Sequence, residues 1–381
     1  MIRKINRAVK DFLRPIRFSI GRLMWDKKIG AQNPKLENII VNNKIKSVLF
    51  FRYDGKIGDM VINTMIFREL KKRYPNIKIG VVTRGAARDI ISNSPWINEI
   101  YNYEKTPKKI LELAERLKGE YDLLVDFSEF IRVNEMMFIN RCGCEYNMGL
   151  DKGDWNLFNI NLIPEKDFSY KEHVTKRYGA YLKKFGLDSF GTDYDIFLND
   201  EREDLAKKKY ENLKKEKNSS HKGFVILNPY GASKHKNFNM QTLENIAMYL
   251  EELNYSVVLI YSPDKYDEVK EFYNKNKENI PGLFMMEGIK SILDSASLIK
   301  YADYVITPDT SIIHIASAYN KPIIAVYPPN GGTYGVDHLV WGPTSEKQVV
   351  LFCKEAKNST EKFDINTFSF DEMKKAIEQI F

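Results

Sequence analysis

Short apolar strands alternate with amphipathic helices over much of this chain, and this alternation limits the fold more than any other feature. The run 47–51, SVLFF, is apolar throughout, which is typical of a strand buried on both faces of a sheet. A helical pattern at 60–74 and a second strand pattern at 77–83 follow it. The alternation predicts an α/β fold with a parallel sheet covered by helices on both faces.

The same order of strand, glycine-containing loop, helix and strand returns in the second half of the chain. Segment 223–229 is a buried strand by composition, 240–254 has helical spacing, and 255–262 is a further strand. A last unit at 302–330 gives strand, turn, helix and strand, and 369–381 begins with a capping box and predicts a final helix.

The chain is long enough for two domains that each bury their own core, since it has 381 residues of which 43% are hydrophobic. The polar, lysine-rich segment 201–222 predicts a helix followed by an exposed connector, with a domain boundary nearby. We therefore predict an N-terminal Rossmann-like domain over 46–200 and a C-terminal one over 222–360. Whether the final helix packs back on the N-terminal domain stays open.

The positive charge of the chain belongs to its first 28 residues. The net charge is +7, and residues 1–28 hold nine lysines and arginines against two aspartates, which leaves 49 basic and 49 acidic residues elsewhere. Basic residues confined to one segment argue against a nucleic-acid-binding domain. Three cysteines, Cys142, Cys144 and Cys353, cannot form a disulfide framework and indicate a reducing compartment. Cys142 and Cys144 are too close for an ordinary zinc pair, so we expect no metal site.

The N-terminal segment also has a helical period. Pro15 is expected to kink or divide this helix. No apolar run approaches the ~18 residues that span a bilayer, and the pattern is not that of a secretory signal. A basic amphipathic helix favours the surface of an anionic membrane, although a helix that packs on its own protein is the alternative. The apolar positions of this period are Ile2, Ile5, Val9, Phe12, Leu13, Ile16, Ile20, Leu23 and Met24.

Three polar loops follow predicted strands, where ligands bind in open α/β sheets. The loop 52–59 contains Gly55, Gly58 and Asp59, but it matches neither the full dinucleotide fingerprint nor a Walker A motif. Asp59 stands at a helix start, where it can cap the helix or take a proton from an attacking hydroxyl. Spacing alone favours the cap. The loop 229–238 supplies the cations Lys234, His235 and Lys236 after Gly231.

The third loop, 308–314, places Asp309, Thr310 and Ser311 between a strand and an apolar helix. Thr310 or Ser311 can cap that helix, and its amides suit a phosphate or diphosphate. Asp309 is better placed to accept hydrogen bonds from sugar hydroxyls, and His314 lies about one turn further on. For this motif, simple capping and a structural histidine remain the favoured alternatives.

Taken together, these loops resemble glycosyltransferase family 9, the heptosyltransferase family of lipopolysaccharide assembly. The resemblance rests on VLFFRYDGKIGDMVINTMIFRELKKRYPNIKIGVVT, LNPYGASKHKNF and DTSIIHIA, with EHVTKRYGAYLKKFGL as a further similar helix. It covers about residues 46–350 in the family's order. The resemblance implies a GT-B fold, in which two Rossmann-like doubly wound domains face a central cleft.

The resemblance further implies inverting transfer from a nucleotide sugar, typically ADP-heptose, without a metal or other cofactor. Residue by residue, it makes Asp59 the catalytic base, Gly58 a donor-binding residue and Lys236 the lysine beside the donor phosphates. It makes Asp309 the contact to the donor sugar and aligns Thr310, Ser311 and His314 with the phosphate-side helix start.

Two departures leave the donor open. Ser311 and Ile312 stand where the family often has glycine and a small residue or proline. Where the family can place a nucleotide-contacting glutamate, SPDKYDE offers Asp264 and Asp267. We expect a sugar transferase that acts on a lipopolysaccharide or lipooligosaccharide core, at the cytoplasmic face of the inner membrane through residues 1–28. The alternatives are a transferase of another nucleotide sugar for surface polysaccharide, a GT-B nucleotide-sugar epimerase, and a non-catalytic membrane-surface binding protein.

Overall fold

The computed structural model describes residues 2–216, 221–231, 233–331, 335–355 and 363–381, with side chains described from Phe12 onward. These residues form two compact units. The first comprises Met1–Gly55, Ile66–Arg88 and Pro95–Thr192, and the second comprises Lys56–Met65, Asp89–Ser94 and Asp193–Phe381.

The first unit contains a six-stranded parallel sheet in the order β3-β2-β1-β4-β5-β6. This is the strand order of a Rossmann fold. Its topological switch point, where the chain begins to add strands on the other side of β1, lies between β1 and β4. All five residues of β1 are buried, as its apolar composition predicts for a central parallel strand. The strands are β1 (Ser47–Phe51), β2 (Lys78–Thr83), β3 (Glu99–Asn102), β4 (Leu123–Asp126), β5 (Tyr146–Leu150) and β6 (Ile160–Leu162).

The second unit repeats this topology in its own six-stranded parallel sheet, ordered β12-β11-β10-β7-β8-β9. The chain adds β8 and β9 on one side of β7, and β10, β11 and β12 on the other side, so the second sheet is also doubly wound. The strands are β7 (Phe224–Leu227), β8 (Ser256–Leu259), β9 (Leu283–Met285), β10 (Tyr304–Pro308), β11 (Ile323–Tyr327) and β12 (Gln348–Phe352).

The helices connect these strands and cover the sheets. The predicted α/β class with doubly wound parallel sheets is therefore confirmed. In the first half of the chain they are α1 (Ile2–Trp25), α2 (Ile39–Asn42), α3 (Ile57–Arg73), α4 (Ala86–Ile91), α5 (Pro107–Leu117), α6 (Val133–Cys142) and α7 (Val174–Lys184). They continue with α8 (Asp200–Glu216), α9 (Met240–Glu252), α10 (Tyr266–Asn276), α11 (Ile292–Tyr301), α12 (Ile312–Ala318), α13 (Asp337–Val340) and α14 (Phe370–Ile380).

Helix α3 follows β1 and begins earlier than its apolar pattern predicts. Gly55, with φ +78°, makes the turn after the strand, and this left-handed conformation suits a residue without Cβ. Arg84 fixes the turn, because its guanidinium donates to the carbonyl oxygens of Tyr53 at 2.9 Å and Asp54 at 3.0 Å. The first turn of α3 therefore already contains Gly58 and Asp59.

The final helix, α14, lies against β11 and β12 of the second unit. Ser369 caps it by accepting a hydrogen bond from the amide of Glu372 at 3.3 Å, in agreement with the capping spacing of the sequence. The ring of Phe381, the residue after α14, stacks on Tyr304 of β10 at 4.0 Å between centroids.

Helix α1 runs through Pro15 as one helix, so the expectation that this proline divides the helix is wrong. Its C-terminal part packs on α6. A Cβ added at Gly21 would lie 2.5 Å from Val133 Cγ2, so the absence of a side chain allows this close approach. Phe18 meets the edge of Trp155 at 5.9 Å, and the Arg22 guanidinium lies 4.4 Å from the centre of the same ring.

We expect Gly21→Val to loosen α1 from α6, because the new side chain would overlap Val133. Overpacking of this kind costs about 1–3 kcal/mol of unfolding free energy, which urea denaturation would measure. Ser19→Val is the matched control, since Ser19 is exposed on the same helix. Equal stability of the two variants would contradict this account of the helix contact.

Candidate active site

The topological switch point of the second sheet lies between β7 and β10. The loops that follow these two strands bear the charged groups of the candidate site. Asn228 follows β7 directly and is buried. Its side-chain amide donates to Thr307 Oγ1 on β10 at 2.9 Å and to the carbonyl of Tyr230 at 2.8 Å. This residue therefore links the two strand ends and shapes the start of the loop 229–238.

Lys236 and Asp309 form an ion pair at this switch point. Lys236 lies in a short 3-10 turn, Lys234–Lys236, and Asp309 leaves the end of β10 with its amide bonded to Val326 O at 2.9 Å. Both side chains are mostly buried, which strengthens their attraction relative to a surface pair. The structure thus brings together two of the residues that the sequence proposed for the donor.

The other two cations of the same turn do not share this position. Lys234 is exposed, and exposed His235 turns its ring toward Phe363 at 6.4 Å. A turn of three successive residues points its side chains in different directions, so the sequence could not show from spacing which lysine meets Asp309.

The start of α12 continues from Asp309 through Thr310 and Ser311. Ser311 holds the N-cap position, yet no side-chain capping hydrogen bond from it occurs within the described part of the chain. Its carbonyl instead accepts from the amides of His314 and Ile315, both at 3.1 Å. The sequence offered Thr310 or Ser311 as the cap, and the side chain of Ser311 does not form one.

His314 is buried one turn into α12 and faces the beginning of α3. Its ring lies 6.2 Å from that of Tyr194, edge to face. A Cβ added at Gly58 would lie 2.7 Å from His314 Cδ2 and 3.6 Å from Ser311 Cα. Residues 56–65 belong to the second unit by their contacts, so the turn that carries Asp59 and the start of α12 meet within one unit.

Asp59 is the carboxylate of this turn. Its side chain is largely buried and lies 3.9 Å from the Lys56 ammonium, itself exposed. A carboxylate in the first turn of a helix is stabilised in its charged form by the helix dipole. Asp59 thus lies in the same helical turn as Gly58, whose backbone approaches Ser311 and His314.

The acids proposed for a nucleotide contact have other partners. Asp264 accepts a hydrogen bond from Ser262 Oγ at 2.6 Å, and Asp267 lies in the first turn of α10. Glu268, which the sequence reasoning passed over, accepts from Lys265 at 2.8 Å. Burial and hydrogen bonding to Glu268 raise the pKa of Tyr230, so this glutamate lies beside the loop 229–238. Glu268 is thus a further carboxylate beside this loop, in addition to the proposed Asp264 and Asp267.

Asp337 is a second residue that the sequence reasoning missed. Burial raises the pKa of its carboxyl group, the negative charge of Asp309 raises it further, and Lys236 opposes the shift. Asp337 therefore adds a carboxylate near the Lys236–Asp309 pair. No motif in the sequence singled out Asp337 as a candidate site residue.

The described residues contain no group of three or more histidine, cysteine or acidic side chains arranged to hold a metal ion. Within the same ranges, none of the helices combines the length and the apolar character needed to cross a bilayer.

Two doubly wound sheets, with charged loops at the switch point of the second, define an α/β protein of two Rossmann-like units. The model of the family described as glycosyltransferase family 9 (heptosyltransferase) matches residues 110–369. The chain belongs to this family, and it is a glycosyltransferase.

Named relatives agree with this assignment. A protein of Escherichia coli (strain K12), provisionally named lipopolysaccharide heptosyltransferase 4, is 27% identical over 350 residues, which cover 89% of this chain and 91% of the relative. Lipopolysaccharide heptosyltransferase 3 of Escherichia coli is 23% identical over 305 residues, with 77% and 85% covered.

Solved structures show the fold. A family 9 glycosyl transferase from Veillonella parvula superposes with a TM-score of 0.67 at 16% identity, over 88% of this chain and 97% of that one. The ADP-heptose lipopolysaccharide heptosyltransferase II of Escherichia coli gives 0.66 at 17% identity, over 88% and 98%. The predicted GT-B class, as an architecture of two Rossmann-like α/β units, is confirmed.

We expect Gly58→Ala to impair transfer, because the added methyl group would press on the His314 ring and move the turn that carries Asp59. A displacement of this size can lower the rate about tenfold to a hundredfold. Gly153→Ala is the matched control, since its Cβ would meet only Asn161 Nδ2 at 3.4 Å. Steady-state kinetics would test this, and a normal rate for Gly58→Ala would contradict the close packing.

Proposed function

We propose that this glycosyltransferase moves a heptose from ADP-heptose onto the core of a lipopolysaccharide or lipooligosaccharide, with inversion at the anomeric carbon. The observation that carries the proposal is the meeting of three groups in the second unit: the turn of Asp59, the start of α12, and the Lys236–Asp309 pair. The names of the relatives support the lipopolysaccharide acceptor, and the structural similarity to the ADP-heptose lipopolysaccharide heptosyltransferase II supports the donor.

The donor diphosphate is assigned to the loop that contains Lys236 and to the first turn of α12 at Thr310 and Ser311. The Lys236 ammonium would neutralise phosphate charge, and the positive end of the α12 dipole adds to this attraction. Asp309, which follows β10, would accept hydrogen bonds from hydroxyl groups of the donor sugar. No step of this scheme is routed through a metal.

Asp59 is assigned as the general base. It removes the proton from an acceptor hydroxyl, whose oxygen attacks the anomeric carbon from the side opposite the diphosphate. The bond from that carbon to the diphosphate oxygen breaks, and the nucleoside diphosphate leaves with the electron pair. Lys236 and the α12 start stabilise the charge that develops on this leaving group.

The acceptor and location follow from the same reading. We propose that the acceptor is a lipid-linked oligosaccharide, which would place the enzyme at the cytoplasmic face of the inner membrane. The N-terminal helix would supply the contact with that surface. The alternatives give different assay results: turnover of the donor alone would indicate an epimerase, and no nucleotide release with any donor and acceptor would indicate a binding protein.

We expect Lys236→Met to weaken binding of ADP, the probe for the diphosphate. A charge-assisted hydrogen bond is worth about 1.5–3 kcal/mol, which corresponds to roughly a tenfold to hundredfold rise in Kd. Because the change also leaves Asp309 without its cation, the measured quantity is the rise in Tm that ADP causes in each variant. Lys234→Met, in the same turn but exposed, is the control. An unchanged ADP shift in Lys236→Met would remove Lys236 from the donor site.

We expect Asp59→Asn to lower kcat for transfer by about a hundredfold to ten-thousandfold, because the amide cannot accept the proton. ADP binding should persist, since the base does not touch the diphosphate in this scheme. Asp89→Asn is the control, because Asp89 also lies in the first turn of a helix and tests the loss of a charge near a helix dipole. A folded Asp59→Asn variant with near-normal transfer would rule out Asp59 as the base.

A further inference from the structure

Helix α1 presents a second apolar surface that its packing on the protein does not use. We call this surface the α1 stripe. Its side chains are between 43% and 81% exposed, which is unusual for six large apolar groups on one helix. The α1 stripe consists of Phe12, Leu13, Ile16, Ile20, Leu23 and Met24.

The α1 stripe and the packed side of the helix point in nearly opposite directions. The packed side consists of Phe18, Gly21 and Trp25, which are buried or half-buried against α6 and the segment around Trp155. At about 100° per residue, the two sets centre on directions roughly 150° apart. Packing on the body of the protein and exposure of the stripe are therefore properties of one helix, not alternatives.

The helix also extends beyond its packed part. Every side chain from Phe12 to Arg17 is exposed, and among the described side chains of α1 Phe18 is the first that is half-buried. The residues from Ile2 to Arg17 span about 24 Å of helix at 1.5 Å per residue. In the sequence, the apolar spacing of this helix begins at Ile2, so the amphipathic pattern covers the extension as well.

We propose that the α1 stripe binds the surface of an anionic lipid bilayer, with α1 lying in the plane of the interface. Charge supports this occupant, since residues 1–28 carry nine basic and two acidic residues and the rest of the chain is balanced. Arg17 is exposed at the border of the stripe, about 80° around the helix from its centre, and would meet lipid phosphates. Pairing of two copies through the stripe would bring two such cationic segments together, which like-charge repulsion opposes.

The direction of α1 relates this surface to the carboxyl edge of the first sheet. Gly21 lies against Val133 at the start of α6, and the Trp25 carbonyl accepts from Asn140 Nδ2 at 3.0 Å near its end. The two helices therefore run in the same direction. The extension before Phe18 passes the N-terminal end of α6, where the chain arrives from β4.

The loop between β4 and α6 is held firmly at that edge. Buried Lys152 donates to the carbonyls of Ser128 at 2.7 Å and Glu129 at 2.9 Å. Burial lowers the pKa of Lys152 and raises that of the adjoining Asp126, whose carboxylate accepts from Ser128 Oγ at 2.7 Å. This support fixes a loop whose next residue, Phe130, is 78% exposed.

A bilayer on the α1 stripe would thus lie near the edge at which open α/β sheets bind ligands. This placement suits a lipid-linked acceptor, and that further step rests on the proposed function. Binding to the bilayer itself does not depend on it, because the stripe and its charges lie outside the candidate active site.

The test is flotation of the full chain with vesicles of phosphatidylcholine, alone or with roughly one-third phosphatidylglycerol. We expect binding to the anionic vesicles and little binding to the neutral ones. Binding should weaken when salt is raised from about 50 mM to about 500 mM, because the Debye length shortens. Equal binding to both vesicle types, or binding to neither, would overturn the proposal.

Variants separate the stripe from general stickiness. Ile16→Glu with Ile20→Glu should abolish flotation, whereas Leu205→Glu with Met248→Glu should leave it intact, because those side chains are similarly exposed on α8 and α9. Arg17→Gln should weaken binding to anionic vesicles roughly fivefold. All variants should keep the Tm of the parent chain.

Two outcomes would overturn the membrane assignment. The first is normal flotation of the Ile16→Glu, Ile20→Glu variant, or an equal loss in the α8 and α9 control. The second is a chain that stays off vesicles but sediments as a dimer that these two changes convert to a monomer. Loss of flotation in the stripe variant with normal transfer to a soluble acceptor would support the membrane contact. A parent chain that floats but transfers no sugar would count against the proposed function alone.

Discussion

The pairing of β7 with β10 is the constraint on which the candidate site depends. These buried neighbours lie at the switch point of the second sheet, so the loops that follow them diverge and leave room for a ligand. The Asn228–Thr307 hydrogen bond joins the two strand ends, and Lys236 and Asp309 meet just beyond them. The order of the strands thus brings together two charged residues that lie more than seventy residues apart in the sequence.

Much of the fold could be predicted from the sequence because strongly apolar strands and helical spacing repeat with short connections. The least readable part was 129–200, and it contains α6, β5 and β6. Strand β5 reads YNMGL, in which the buried Asn147 bonds to the carbonyl of Leu157 and Gly149 packs closely under Phe158. Tertiary contacts, which no local pattern reveals, make these polar and small residues suitable for a central strand.

The candidate site was only partly accessible to sequence reasoning. Asp309 and Lys236 could be proposed through motif order, whereas their pairing depends on a short 3-10 turn that separates Lys236 from Lys234. Asp337 and Glu268 approach the loop from other parts of the unit and carry no signal of their own. The N-terminal helix was also only partly predictable. Its amphipathic period was clear in the sequence, but small and aromatic residues on its polar side make the contact with the rest of the protein.

The Lys236–Asp309 pair gives this lysine an internal counter-ion. Under the proposed function, a diphosphate that binds Lys236 would compete with the Asp309 carboxylate, so part of the attraction would go into exchanging one anion for another. The same exchange would run in reverse after transfer, when Asp309 pairs with the lysine again as the nucleotide departs. Such an exchange would limit how tightly the spent nucleotide is held and would favour rapid release over strong retention.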